Sequence, residues 1–580
     1  MCGIAGLWQL SSSQEDSLEK ARRLQGLLKK RGPDGQGLFV ESDGSLSLVH
    51  TLLAITDQSA AARQPMFSAD KQFVMVFNGE IYNTAELKKN FLPGLLLQTT
   101  TDTEIIVELF AKLGEKTFAL LEGIFALAIW DQATKTLWLA RDYLGIKPLY
   151  FYYDDQAPLF AFASLAKILA TTQGLWDPDY ESVKSFLKYG CTLAPRTIFK
   201  KIQALPCGRY LKFSLMSRSF KLFAYQKLEN LLGPSSSKGS LTTDLKTTLK
   251  NVIASQIPSK VRYGVFLSAG VDSNLLAALL QELGQKFATF TIGFSSQNKH
   301  LTSEAALAKK LAAHWGAEHH EWILQDTEVP KLYDEYLQAL DQPSSDGFNS
   351  FLAAKLAAPF CKVVFSGIGA DELFLGYWHF AHLHNWYKMS QNNLRPAWYA
   401  IASWLRNFPY FKSFLFRQKH YFLQDPALQN DILAAYLFYR QEEKMPFAIS
   451  QSVGQKLKEI FTNSAFSFWQ KMVLAELFFY DQNKLLKDID SLSMYHGVEV
   501  RVPFLDRRIV SYALASLADL TDQTFAASFG KQNLRKLLAS YHPPALLATK
   551  QGFELPLEQW LTKGVSRKAA FLLWLQKQQE

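Results

Sequence analysis

Cysteine is scarce in this 580-residue chain: Cys2, Cys191, Cys207 and Cys361 are scattered, and none falls in a C-x-x-C pair. That spacing argues against a disulfide framework or a zinc site, so reduced thiols are expected. Long apolar runs are missing too. A stretch such as Leu120 to Trp130 is broken by Glu122 and falls short of the ~20 residues that span a bilayer. No transmembrane segment is expected, and peripheral contact with a membrane surface stays open. The opening M-C-G-I-A-G has neither a basic leader nor an apolar core, so no secretory signal is read and the expected location is cytoplasmic. From Leu373 to Gln424 there is no Asp or Glu at all, while Lys388, Arg395, Arg406, Lys412, Arg417 and Lys419 alternate with many aromatics. Such a stretch suits a membrane surface or an anionic acceptor, or else a helical insertion whose aromatics pack inward. No repeat of solenoid length is visible.

What is present is ordinary globular material, with 48% hydrophobic and 20% charged residues. The length suits two or three domains, each with its own core. The net charge of +9 is modest and would suit phosphate-bearing partners without demanding them. Up to about residue 225, short β-like runs such as Phe73–Phe77 before Asn78-Gly79 indicate a sheet-rich α+β domain. Residues 226–240 hold the breaker-rich run Gly233 to Ser240 and read as a linker. The second domain is expected over 241–580. There an apolar strand, Tyr263 to Leu267, leads through Ser268-Ala269-Gly270 into a helix from Asn274. A second strand, Phe287 to Phe294, is followed by a helix over Glu304 to Trp315, and a third strand covers Lys362 to Phe365. Alternating strands and helices predict parallel βαβ winding with a ligand site at the strand carboxyl ends. The remainder reads as largely helical.

Cys2 would become N-terminal on removal of the initiator methionine, and its own α-amine could then serve as the base that activates the thiol. Alone, such a cysteine is more often an inert small hydrophobe. Its company changes that. Arg31-Gly32-Pro33-Asp34-Gly35, Asn78-Gly79-Glu80-Ile81-Tyr82-Asn83, Thr101-Asp102-Thr103-Glu104 and the run Arg141 to Tyr150 follow in the order that resembles the class II glutamine amidotransferase domain. The resemblance implies that Cys2 attacks the glutamine carboxamide, that Asn78 and the Gly79 amide form the oxyanion hole, and that Glu80 and Asp102 hold the substrate's α-amino end. Two fixed donors aimed at a developing oxyanion lower a barrier by a few kcal/mol. One position departs. The family has an arginine for the glutamine α-carboxylate where this chain has Leu52, in His50-Thr51-Leu52-Leu53-Ala54-Ile55. Loss of such an ion pair weakens binding by ~2 to 5 kcal/mol unless something replaces it, and Arg63 is a nearby candidate.

Val265 to Ser273 reads as strand, small-residue turn and helix start, a shape that turns backbone N–H groups toward an anion. It resembles the pyrophosphate loop of ATP pyrophosphatases, with Ala269 in place of a glycine. Val363 to Phe374 carries Ser366-Gly367-Ile368-Gly369-Ala370-Asp371-Glu372 and resembles the corresponding block of asparagine synthetases. By that resemblance Phe266, Ser268, Gly270, Asp272, Ser273, Ile292, Ser366 and Gly367 contact ATP, and Asp272 and Asp371 hold Mg2+, for which hard oxygen ligands are apt. Further matches are Leu485 to Asp490, Ser493-Met494, Glu499 to Asp506, Lys531-x-x-Leu534-Arg535 and Lys550-x-Gly552-Phe553. Lys550 stands where the family has a lysine that stabilises charge during amide formation; a lone lysine is otherwise a solvated surface charge.

The resemblance implies an N-terminal Ntn-type glutaminase, a sheet sandwich between helices. An α/β synthetase domain with a helical C-terminal part follows it. The implied activity is glutamine- and ATP-dependent amidation of a carboxylate through an acyl-adenylate. Aspartate is the foremost single acceptor. Ile368 stands where aspartate enzymes typically carry glutamate, so a carboxylate of a surface polysaccharide or a secondary metabolite remains an alternative acceptor. Gln342 to Asn349 also looks more like the asparagine-synthetase-related branch than the dedicated aspartate enzymes. A different reading is a homologue with a decayed glutaminase that uses free ammonia or serves as a regulatory module. No nucleic-acid partner is expected, because no zinc knuckle or RNA-binding module accompanies the loop. A homodimer stays open.

Overall fold

The computed structural model describes residues 2–10, 13–57, 59–231, 244–294, 299–390, 431–443, 449–521, 525, 528–541 and 567–579. The linker run Gly233 to Ser240, Lys550 with its neighbours, and residues 391–424 of the basic aromatic stretch lie outside them.

The first half is built on two six-stranded antiparallel sheets. One runs in the order Gln203–Ala204, Tyr150–Asp154, Leu159–Ala163, Cys2–Gln9, Leu46–Leu52, Gly35–Val40. The other runs Ser219–Ala224, Arg209–Ser214, Thr136–Arg141, Gly123–Asp131, Phe73–Ile81, Met66–Phe67. Side chains alternate across a strand, so a strand apolar at every position must be covered on both faces. That occurs here. In Phe73–Ile81, Val74 and Val76 join Ile4, Trp8 and Trp130 between the sheets. Met75 and Phe77 point the other way, onto Ile106, Leu109 and Phe110 of the helix Asp102–Leu113. On the opposite flank Ala5 and Leu7 meet Leu24 and Leu28 of the helix Gln14–Leu28. The result is a sandwich of helix, sheet, sheet and helix.

The second half is a five-stranded sheet in the order Glu318–Leu324, Ala288–Phe294, Tyr263–Phe266, Val363–Phe365, Glu499–Arg501. Every pairing in it is parallel. Three of these strands match the sequence reading. Glu318–Leu324 and Glu499–Arg501 add to it. The helices expected from Asn274 and Glu304 begin earlier, at Val271 and Lys299. The strand order reverses beside Tyr263–Phe266, and such a reversal opens a crevice at the strand carboxyl ends. Behind the sheet lie helices including Phe468–Glu476, a π-helical stretch Leu477–Leu485, and Leu486–Tyr495. No helix among the described residues is long and apolar enough to cross a membrane.

The halves share a core in which Leu53, Ile124, Leu144 and Ile146 of the first pack with Leu267, Phe365, Phe504 and Leu505 of the second. Buried charges cross the same boundary. Asp490 forms an ion pair with Arg31 at 2.8 Å and accepts a hydrogen bond from Lys147 Nζ at 3.1 Å, with all three side chains about 2% exposed.

Candidate functional site

Cys2 opens a strand whose register sets it opposite Leu52. Directly opposed residues of an antiparallel pair put their side chains on one face, with Cβ atoms ~5 Å apart. The Cys2 backbone N–H donates to Asn78 Oδ1 at 3.0 Å. Asn78 is fully buried, and its Nδ2 has no hydrogen-bond partner among the described residues. Gly79 follows in a strand so close to its neighbour that a Cβ would stand 2.2 Å from the Ile124 carbonyl oxygen. Side chains larger than hydrogen are excluded there. Burial pushes the Cys2 thiol up from its ordinary pKa, so forming a thiolate here would take a local base.

Glu80 lies in the strand Phe73–Ile81, and Asp102 opens the helix that meets its end. Asp102 accepts the Ile81 N–H at 2.9 Å, and burial pushes its carboxyl up to about 6. Burial, resisted by Arg501, pushes Glu80 up to about 8. Arg501 comes from the last strand of the second half, donating to Glu80 at 3.1 Å and to Glu499 at 2.6 Å. The sequence reading placed Arg501 in a family block without any role at the first site. Nothing in a one-chain pattern marks a contact between residues 421 positions apart.

At the crevice of the parallel sheet, Ser273 Oγ accepts the Ser268 N–H at 3.1 Å and Ser268 Oγ accepts the Gly270 N–H at 3.1 Å. Asn274 Nδ2 braces the turn through the Ser268 and Gly270 carbonyls. The helix Val271–Glu282 begins here with no side-chain cap, leaving its first N–H groups directed at the crevice. Phe266 ends the adjoining strand half-buried, and Ser366 is buried opposite. Ile292 lies in the next strand, within the apolar cluster of Phe294 and Leu324. The second loop presses on the first: a Cβ on Gly367 would stand 2.7 Å from that of Asp272.

Asp272 and Asp371 converge on one ammonium, Lys531 Nζ, at 2.5 and 2.7 Å. Against burial, these carboxylates hold Lys531 above the usual lysine range. Lys531 is 2% exposed with φ +62°, a left-handed conformation that costs a non-glycine residue ~1–3 kcal/mol. The Lys531-x-x-Leu534-Arg535 motif assigns it no role from sequence. Among the described residues no group of three or more His, Cys, Asp or Glu could hold a metal alone. Two carboxylates completed by phosphate oxygens and water are nevertheless the usual magnesium arrangement. Glu372, raised to about 7 by burial and Asp371, accepts the Tyr377 hydroxyl at 2.5 Å. Asp481, on the π-helical stretch, is fully buried with both carboxylate oxygens unpartnered among the described residues. Sequence reasoning missed it. A carboxylate in an otherwise apolar L-F-F-Y-D run was the available signal.

Residues 1–224 match the glutamine amidotransferase domain family and residues 244–578 the asparagine synthase family. The glutamine-hydrolysing asparagine synthetase 1 of Bacillus subtilis (strain 168) is 27% identical, over 97% of this chain and 88% of its own. Asparagine synthetase B of Escherichia coli (strain K12) is 26% identical over 68% of each. A solved allosteric regulatory enzyme of purine biosynthesis superposes with a TM-score of 0.30 at 15% identity, covering 56% of this chain and 80% of its own. With more than half of its length matched by one model and most of the rest by the other, the chain belongs to the asparagine synthase family, carrying a glutamine amidotransferase domain ahead of the synthase domain.

Proposed function

We propose that the protein hydrolyses glutamine at Cys2 and uses the ammonia to amidate a carboxylate activated by ATP as an acyl-adenylate, releasing AMP and pyrophosphate. The observation that carries this reading is the convergence of Asp272 and Asp371, from two strand-end loops, on the Lys531 ammonium. Oxygens gathered around one cation suit a second one, so these two carboxylates are the residues that would hold Mg2+. When bound, the metal ion would neutralise triphosphate charge and ease departure of pyrophosphate. Ser268, Gly270, Ser273, Ser366 and Gly367 receive the phosphates through N–H and hydroxyl groups at the crevice. Lys550 is assigned to charge stabilisation by motif alone.

At the first site, Asn78 Oδ1 orients the Cys2 nitrogen, which acts as base after removal of the methionine. Asn78 Nδ2 and the Gly79 N–H donate to the oxyanion formed as the sulfur adds to the carboxamide. Glu80 and Asp102 take the substrate's α-ammonium group. Aspartate is the foremost acceptor. A larger or less polar carboxylate is the second reading, favoured by one observation: Ile368, at the mouth of the second loop, packs half-buried against the apolar core and offers neither charge nor hydrogen bond.

The test is to incubate the purified protein with MgATP, glutamine and a panel of carboxylates and to follow pyrophosphate release by acceptor. Release that depends on one carboxylate, with the matching amide formed, is the expected result. Release indifferent to every carboxylate, or none at all, would sink the proposal.

A further inference from the structure

A cavity of about 330 Å³ lies beside the nucleophile strand and is lined by Leu52, His50, Gln64, Asp34, Arg63 and Lys362 among others. Leu52 ties it to Cys2, its cross-strand neighbour on the same face of the sheet. The charged side chains on its wall are Asp34, Arg63 and Lys362. His50 is neutral, since burial drives its pKa down to about 3. One carboxylate against two cations leaves the cavity with a surplus positive charge, and its Leu52 wall is the register partner of Cys2. Lys362 comes from the other half of the chain, just before the strand Val363–Phe365. Its Nζ is held by Asp34 Oδ2 at 2.8 Å and the Ala54 carbonyl at 3.3 Å. Those two bonds fix the ammonium at the cavity wall, and an ammonium has a third N–H to give.

We propose that Lys362, supplied by the synthase half, receives the α-carboxylate of glutamine in this cavity, with Arg63 as the second cation. Leu52 cannot make that contact, and the cation pair lining the same cavity performs it. The glutamine site is therefore assembled from both halves of the chain. This inference rests on the glutaminase reading above and concerns which residue sets its affinity.

The experiment compares two amides on the full chain: glutamine, and 4-aminobutanamide, which is glutamine without its α-carboxylate. In Lys362→Met the KM for glutamine is expected to rise about 10- to 100-fold, the range of a lost charge-assisted hydrogen bond, with kcat held. Turnover of 4-aminobutanamide should be unchanged, and Lys362→Arg should restore most of the glutamine affinity. An unchanged KM for glutamine would overturn the inference. An equal loss with both amides would also overturn it, because Lys362 would then serve only to hold the halves together through Asp34. Glutamine binding to Cys2→Ala with and without Lys362→Met, measured by calorimetry, reads the same contact without turnover. Failure of the unmutated protein to hydrolyse glutamine would thus count against the glutaminase reading separately.

Discussion

At the scale of single residues, the first site runs on groups whose charge is set by burial. Glu80 and Asp102 are both raised, to about 8 and about 6, because burial disfavours their ionised forms. Below those values the carboxyls are neutral and offer an α-ammonium group no ion pair; above them they are charged. The sign is therefore fixed: the KM for glutamine should fall as pH rises from about 6 to about 8. Glu80→Gln should remove the upper part of that fall. A flat KM across the window, measured by ammonia release, would contradict the role given to the pair. Cys2, Asn78 and Gly79 were legible as candidates because each sits in a short local motif, and the structure brings Cys2 and Asn78 into hydrogen-bond contact. The tuning was not legible. Arg501 reaches Glu80 only once the two halves fold together, and local spacing records nothing of that.

Elements were legible where an apolar run was continuous and bounded by turn residues. Tyr263–Phe266 and Ala288–Phe294 announce themselves as apolar runs ahead of turns. Glu318–Leu324 reads E-H-H-E-W-I-L, too polar for a buried strand, and it occupies the sheet edge, where such a composition is tolerated. Glu499–Arg501 has three residues, fewer than any periodicity can register. The π-helical stretch was equally invisible, because a short widening of a helix does not interrupt its apolar pattern. The spacing of the two strand-end loops gives a sharp test. Gly367→Ala must part them, since its Cβ would stand 2.7 Å from that of Asp272. Misplacing a reacting group by about 1 Å costs roughly a hundredfold in rate. Acceptor-dependent pyrophosphate release should drop by about that factor while glutamine hydrolysis holds. Equal loss of both activities would mean that the substitution had disturbed the fold.

For the whole molecule, the decisive contact is Asp490 with Arg31 and Lys147. Removing one member of a buried ionic cluster strands the others, at a cost of about 3–5 kcal/mol. Asp490→Ala should lower the urea midpoint of the full chain accordingly. The two cations hold the Asp490 pKa below its ordinary value in spite of burial. The cluster's contribution is thus complete above the unfolded carboxyl pKa, and it fades as pH falls through the depressed folded value. The gap between Asp490→Ala and the unmutated protein should therefore narrow in acid. A gap constant down to pH 2 would argue that the cluster contributes nothing electrostatic.

The same cluster bears on how the chain is made. Arg31 and Lys147 leave the ribosome with a domain that has its own two-sheet core, yet their partner lies at position 490. At ~5–20 residues per second, translation reaches that partner on the order of tens of seconds later. Until then the nascent first domain carries two hydrated cations and an uncovered apolar rim at Leu53, Leu144 and Ile146. Chaperone dependence should concentrate in that interval, and slowing translation between residues 224 and 490 should lower soluble yield more than slowing it earlier.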